Sequence, residues 1–298
     1  MEPQPQPQPR IPGFDYQRVT VAEGVSLNVA VGGSGSPVVL LHGFPQTHLM
    51  WRHVAADLAA DHTVICPDLR GYGDSDKPTD TDGLTYSKRT MAADTVALAR
   101  AFGHERFALA GHDRGALVAV RAGLDHPDAV THLASLDVLP TLDMWDVLHG
   151  TSAAVGFHLY LMAQPPGLPE VLIGAAPDAF FGHFLDIWAR DPEAIPADIR
   201  AAYLKASREA VVPIVADYRA SAAVDVAHDR ADRAAGHRLR MPVTVLQQDW
   251  GAALGFDAAA LWEAWAPDLD HSSVALGHFM AEEAPAEVVK ALRALLAR

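Results

Sequence analysis

Gly111-His112-Asp113-Arg114-Gly115 sets a carboxylate between two glycines where a short apolar run gives way to a helical one. This small-x-nucleophile-x-small spacing is that of a tight strand-to-helix elbow, and glycine at both ends lets the helix approach the strand closely. Aspartate at the centre sets the chemistry. With an ordinary pKa of ~3.9 it is ionised at neutral pH, needs no base to activate it, and can displace a leaving group from an sp³ carbon. The product is an ester that water can cleave, whereas a serine in that place would leave an inert ether. Ester cleavage calls for a base, an acid to orient it, and donors for the developing oxyanion. His278, in Leu276-Gly277-His278-Phe279 between the last strand region and the final helix, is the candidate base. Asp137, closing the strand after the elbow, is the candidate orienting acid, with Asp249 after a later strand as its rival. The backbone N–H groups of Phe44, in His42-Gly43-Phe44-Pro45, and of Arg114 are the expected oxyanion donors. The Arg114 side chain has two readings, a substrate ligand or a structural arginine paired to a carboxylate.

The elements needed to position these residues are visible as alternating patterns. Val38 to Leu41, Thr63 to Cys66, Phe107 to Ala110, Leu133 to Leu136 and Pro242 to Leu246 read as buried strands. Trp51 to Ala60, Thr90 to Phe102, about Ala116 to Leu124, and Pro285 to Leu296 carry apolar residues at helical spacing. Strands alternating with crossover helices predict an α/β fold, a mostly parallel sheet with helices on both faces. From Pro140 to Gly236 helical stretches, aromatics and prolines occur without a clear strand, which predicts a helical cap over 140–236 inserted into a core of 13–139 and 237–298. Residues 1–12 begin with alternating proline and glutamine and read as a flexible, extended tail.

Composition narrows the partners. In 298 residues, 23 basic against 37 acidic side chains give a net charge of −14, which disfavours nucleic acid and anionic lipid surfaces. Half the residues are hydrophobic, enough for a large core. The single cysteine, Cys66, excludes an internal disulfide framework and reads as a buried small hydrophobe. No apolar run is long enough to span a membrane and no signal-type segment opens the chain, so a cytoplasmic enzyme is expected. No metal cluster, phosphate loop or dinucleotide fingerprint is visible, and no cofactor is expected.

Taken together, His42-Gly43-Phe44-Pro45-Gln46-Thr47-His48, the loop Asp68 to Asp76, the elbow, Leu136-Asp137-Val138-Leu139-Pro140-Thr141, Ala163-Gln164-Pro165, Asp217-Tyr218-Arg219-Ala220 and Gly277-His278-Phe279 resemble the haloacetate dehalogenases among the α/β-hydrolases, with fluoroacetate dehalogenase the nearest type. The likeness runs through nearly the whole chain after the tail. It implies Asp113 as nucleophile, Asp137 and His278 as acid and base, Arg114 as the ligand of a substrate carboxylate, and His158 and Tyr218 as donors to the departing halide. It also implies a homodimer acting on a small molecule. Two positions depart from the pattern. Leu117 stands in the substrate-binding position where the family has a second carboxylate-binding arginine, and Leu159 in the halide position where it has a tryptophan. Loss of one charged donor weakens carboxylate binding by about 1.5–3 kcal/mol, so weaker handling of fluoroacetate and a shift to larger halides or bulkier, less charged substrates are expected. An epoxide hydrolase is the rival activity. It would use the same nucleophile and two cap tyrosines, Tyr218 with Tyr160 or Tyr203. A non-catalytic binding protein of the same fold is the other alternative, and intact Asp113, Asp137 and His278 argue against it.

Overall fold

The structure, a computed structural model, describes residues 8–249 and 253–298. A hairpin of β1 (Asp15–Ala22) and β2 (Val25–Gly33) leads into β3 (Ser36–Leu41), α1 (Arg52–Leu58), β4 (His62–Pro67), α2 (Lys88–Ala101), β5 (Phe107–His112), α3 (Arg114–Asp125) and β6 (Val130–Leu136). The helical stretch follows as α4 (Thr141–Val147), α5 (Phe157–Met162), α6 (Leu168–Ala175), α7 (Pro177–Ile187), α8 (Ala197–Arg208), α9 (Val211–Ala220) and α10 (Val226–Ala235), with a π-helical turn at Ser221–Asp225 joining the last two. The chain then returns to the sheet through β7 (Val243–Gln248), α11 (Ala258–Glu263), β8 (Leu269–Val274), α12 (Met280–Glu283) and α13 (Pro285–Leu296). Eight strands lie in the order β1-β2-β4-β3-β5-β6-β7-β8. The pairs β1–β2 and β2–β4 are antiparallel and the others parallel. This is the α/β-hydrolase fold.

The period-two rule of a strand divides the core. On β3, Val39 and Leu41 join a cluster with α2 and α3, while Val38 and Leu40 face a second cluster with α1 and α13. The central parallel strands are thus buried on both faces, which is why they read as continuous apolar runs, whereas the parallel edge strand β8 has no buried position. Cys66 is fully buried in the second cluster.

Among the departures from expectation, three concern the elbow, the first helix and the tail. The helix after the elbow begins at Arg114 rather than near Ala116, immediately after the nucleophile candidate. The stretch from Trp51 is entered through a 3₁₀ turn, His48–Trp51, capped by the Thr47 side chain. In the expected tail, residues 1–7 lie outside the described residues, but Ile11 is 1% exposed and its N–H donates to the Tyr16 hydroxyl at 2.8 Å. An apolar side chain at position 11 gives the chain an anchor that the Pro/Gln composition around it conceals. Among the described residues no helix is long and apolar enough to cross a membrane.

Candidate active site

β5 carries the chain straight into the elbow. Asp113 has φ +47 and ψ −115, a conformation rarely taken by any residue but glycine. Such a backbone costs on the order of 1–3 kcal/mol and persists only where its surroundings enforce it. They do so here by contact. A Cβ on Gly111 would lie 2.4 Å from the Gly115 backbone, and one on Gly115 would lie 2.4 Å from the His42 carbonyl oxygen. The Asp113 side chain therefore stands above the sheet. The Phe44 N–H donates to Oδ1 at 2.7 Å, and Oδ2 lies 4.0 Å from His278 Nε2. No bond from the Arg114 N–H to this carboxylate occurs among the described residues. That N–H lies in the first turn of α3, where the helix offers it no acceptor.

His278 is held from three sides. Its Nδ1 lies 2.6 Å from Asp137 Oδ2, its N–H donates to the Trp188 carbonyl at 2.8 Å, and its own carbonyl accepts from His112 Nε2 at 2.8 Å. Asp137 is itself fixed. Gln248 donates to it through the backbone N–H at 2.8 Å and through the side-chain amide at 2.6 Å. Burial disfavours the imidazolium of His278, but the hydrogen bond and charge of Asp137, with Asp113 beyond, outweigh burial and raise its pKa. His112 lacks such a partner, and burial together with the neighbouring His278 lowers its pKa to about 4. The rival acid Asp249 lines the cavity wall.

Arg114 is 1% exposed and commits two nitrogens to an internal carboxylate. Nε donates to Asp217 Oδ2 at 2.9 Å and Nη2 to Oδ1 at 2.8 Å. The guanidinium lies 4.0 Å above the Tyr218 ring. Asp217 also accepts from the Tyr72 hydroxyl at 2.6 Å and from Lys88 Nζ, while Lys88 lies 3.8 Å from Asp225. Burial would raise the Asp217 pKa, yet the two cations Arg114 and Lys88 hold it well below the usual carboxylate range. The structural reading of Arg114 is thus realised. Because Arg114 also lines the cavity, the other reading survives through Nη1, which makes no hydrogen bond among the described residues.

A cavity of about 480 Å³ opens over Asp113 and is bounded by Arg114, Asp137, His158, Leu159, Tyr218 and His278 among others. The Tyr218 hydroxyl and His158 Nδ1 are buried and have no partner among the described residues. Burial, reinforced by the charge of Asp113, pushes the Tyr218 pKa well above its ordinary value. Burial lowers that of His158 to about 3, so at neutral pH the tyrosine keeps its proton and the imidazole is uncharged. Leu159 is part of the cavity wall. Leu117, expected at the substrate, is not: it is 3% exposed and belongs to the core cluster of α3. An aliphatic side chain on that face gains more by packing inward than by reaching a polar site. Trp188, at the end of α7, was not foreseen. Its ring packs edge-on 4.8 Å from His278 and it lines the same cavity. Gln248 carries no motif and was missed as well. Among the described residues, no group of His, Cys, Asp or Glu could hold a metal ion.

A family model described as the alpha/beta hydrolase fold matches residues 36–285. A fluoroacetate dehalogenase from Burkholderia sp. is 38% identical over 95% of this chain and 94% of that protein. A soluble epoxide hydrolase from Corynebacterium sp. (strain C12) is 32% identical over 89% of this chain and 92% of its own length. A solved Pseudomonas aeruginosa structure, provisionally called an epoxide hydrolase, is 41% identical with a TM-score of 0.91, covering 98% of each chain.

Proposed function

The chain belongs to the α/β-hydrolase family, and we propose that it is a hydrolytic dehalogenase of small 2-haloacids with Asp113 as nucleophile. Oδ2 of Asp113 attacks the carbon bearing the halogen, the carbon–halogen bond breaks, and the halide leaves with the bonding pair. Oδ1, held by the Phe44 N–H, becomes the carbonyl oxygen of the ester. His278, oriented by Asp137, takes a proton from a water that adds to that carbonyl carbon. The Cγ–Oδ2 bond then breaks, His278 returns the proton to the departing 2-hydroxy acid oxygen, and Asp113 loses its new proton to solvent. Phe44 and Arg114 N–H groups stabilise the oxyanion. His158 and Tyr218 donate to the halide in a dry pocket, where such donors count most. Arg114 meets the substrate carboxylate through Nη1. The helices of 140–236 act as the cap. The same reading has the enzyme working in the cytoplasm as a homodimer without a cofactor.

The observation that carries this reading over epoxide hydrolysis is the supply of hydroxyls. Opening an epoxide calls for two cap tyrosines at the ring oxygen, and Tyr218 alone of the three candidates lines the cavity. The Tyr160 hydroxyl donates to the Leu148 carbonyl and that of Tyr203 to the buried Glu282. The test is the intact mass of His278→Gln after incubation with fluoroacetate, chloroacetate, 2-chloropropionate or a terminal epoxide, each alone. An adduct from haloacids, mapped to Asp113, is expected. An adduct from the epoxide alone would move the assignment to epoxide hydrolase.

A further inference from the structure

We infer that the preferred substrate is a 2-haloalkanoate with an unbranched aliphatic chain on C2, rather than a haloacetate; the inference rests on the dehalogenase reading. Backside attack fixes the reacting carbon in space. The halogen must point away from Asp113 Oδ2 toward His158 and Tyr218, and the carboxylate must turn toward Arg114. A haloacetate has only hydrogens left on that carbon. The cavity offers far more. At about 480 Å³ it lies within the range of sites that enclose drug-sized ligands, several times what a methylene, a carboxylate and a halogen require.

The unused wall is apolar. Met144, Leu148, Ile187, Leu254, Val274 and Leu276 line it. Val155 and Ile187, 51% and 57% exposed, also belong to this lining and present apolar surface to solvent. Isolated exposed aliphatic residues are ordinary, but two of them bordering an apolar chamber suit the entry of a hydrocarbon chain. An independent observation concerns charge. Arg114 is neutralised by Asp217 and keeps one nitrogen for a ligand, and Leu117, standing where the resembled family has a second arginine, is withdrawn into the core. Asp113, Asp137 and Asp249 line the same cavity. The carboxylate alone is thus a weak handle, and binding must come from the chain. Each methylene buried in the chamber contributes about fourfold in kcat/KM.

The test is bromide release by the wild-type protein from 2-bromopropionate, 2-bromobutanoate, 2-bromopentanoate and 2-bromohexanoate. All four react at a secondary carbon, so the chemistry is held constant. The expected result is a rise of about sixtyfold in kcat/KM over the three added methylenes, carried mainly by KM. Ile187→Trp, a change at an exposed position that narrows the chamber, should flatten the series. A flat or falling series in the wild-type protein overturns the inference while leaving the dehalogenase intact. No bromide from any acid, bromoacetate included, together with no adduct on His278→Gln, overturns the dehalogenase reading itself and the inference with it.

Discussion

Asp217→Asn keeps the shape of the side chain and removes the charge on which two buried cations depend. Asp217 is fully buried and accepts from Arg114, Lys88 and Tyr72. In the variant, Lys88 keeps Asp225 while Arg114 loses its paired carboxylate. Breaking a buried pair by removing one partner costs about 3–5 kcal/mol, because the other charge stays desolvated. Lys88 has a way out. Burial and the nearby Arg114 already lower its pKa, so it can release its proton. Arg114 cannot, since a guanidinium stays charged. The lower end, about 3 kcal/mol, is therefore the expected loss. With a urea slope of about 3 kcal/mol per M for a chain of this size, the unfolding midpoint should fall by about 1 M. The pH dependence has a definite sign. The Asp217 pKa is depressed, so its contribution is complete above the unfolded value of ~3.9 and is lost only as pH falls through the lower folded one. Asp217 itself thus contributes equally from about pH 6 to 8. Lys88, however, neutral in the folded variant and charged when unfolded, gives the variant stability as pH rises, so the gap between wild type and variant should narrow over that range. The assay is urea unfolding followed by far-UV circular dichroism across that range. A midpoint shift below about 0.3 M would refute the reasoning, since it would mean that Arg114 does not depend on Asp217 for compensation.

Other expectations concern the chemistry. The raised pKa of His278 means its protonated form stabilises the fold most below pH ~6.5, an advantage that fades as pH rises through the folded value, whereas catalysis needs the neutral form. An NMR titration of His278 in the free enzyme, where Asp113 still carries its charge, should show a midpoint above 6.5, and a midpoint below that value would contradict the carboxylate contacts as its cause. Tyr218→Phe should slow fluoride release by about a hundredfold and bromide release by less, because the poorer leaving group relies more on a donor; equal losses for both halides would count against a halide contact. In Gly43→Ala the new Cβ would stand 2.6 Å from Asp113 Cβ and 2.7 Å from the His112 carbonyl oxygen. Displacing the nucleophile should lower kcat by about a hundredfold or more while far-UV circular dichroism stays native.

What the sequence disclosed was what short-range chemistry dictates. The elbow is legible because the close contacts of Gly111 and Gly115 involve residues only a few positions away or one neighbouring strand. The central parallel strands are legible because burial on both faces leaves an unbroken apolar run, and the exposed edge strand β8 (Leu-Asp-His-Ser-Ser-Val) is not. The edge hairpin of β1 and β2 is not, since β1 (Asp-Tyr-Gln-Arg-Val-Thr-Val-Ala) has no fully buried position and carries no apolar run. Within the site, Asp137 was within reach as the acid closing β6, but Gln248 was not, because an amide that fixes a carboxylate 111 positions away leaves no motif. Trp188 and the Arg114–Asp217 pair share that obscurity: each joins the helical stretch to a distant part of the chain, and only the packing of α7 and α9 makes these contacts. Leu117 shows the converse failure. A position inherited from a resemblance loses its role when its side chain is no longer long and charged.

The two oxygens of Asp113 are not equivalent, one tied to the Phe44 N–H and the other turned toward His278. Under the proposed chemistry, the atom that leaves in the product hydroxyl comes from the protein, and solvent replaces it. In water enriched in heavy oxygen, the first molecule of hydroxy acid would leave unlabelled while the enzyme gained the isotope. The side chain at position 113 would thus be partly renewed from the solvent with every turnover.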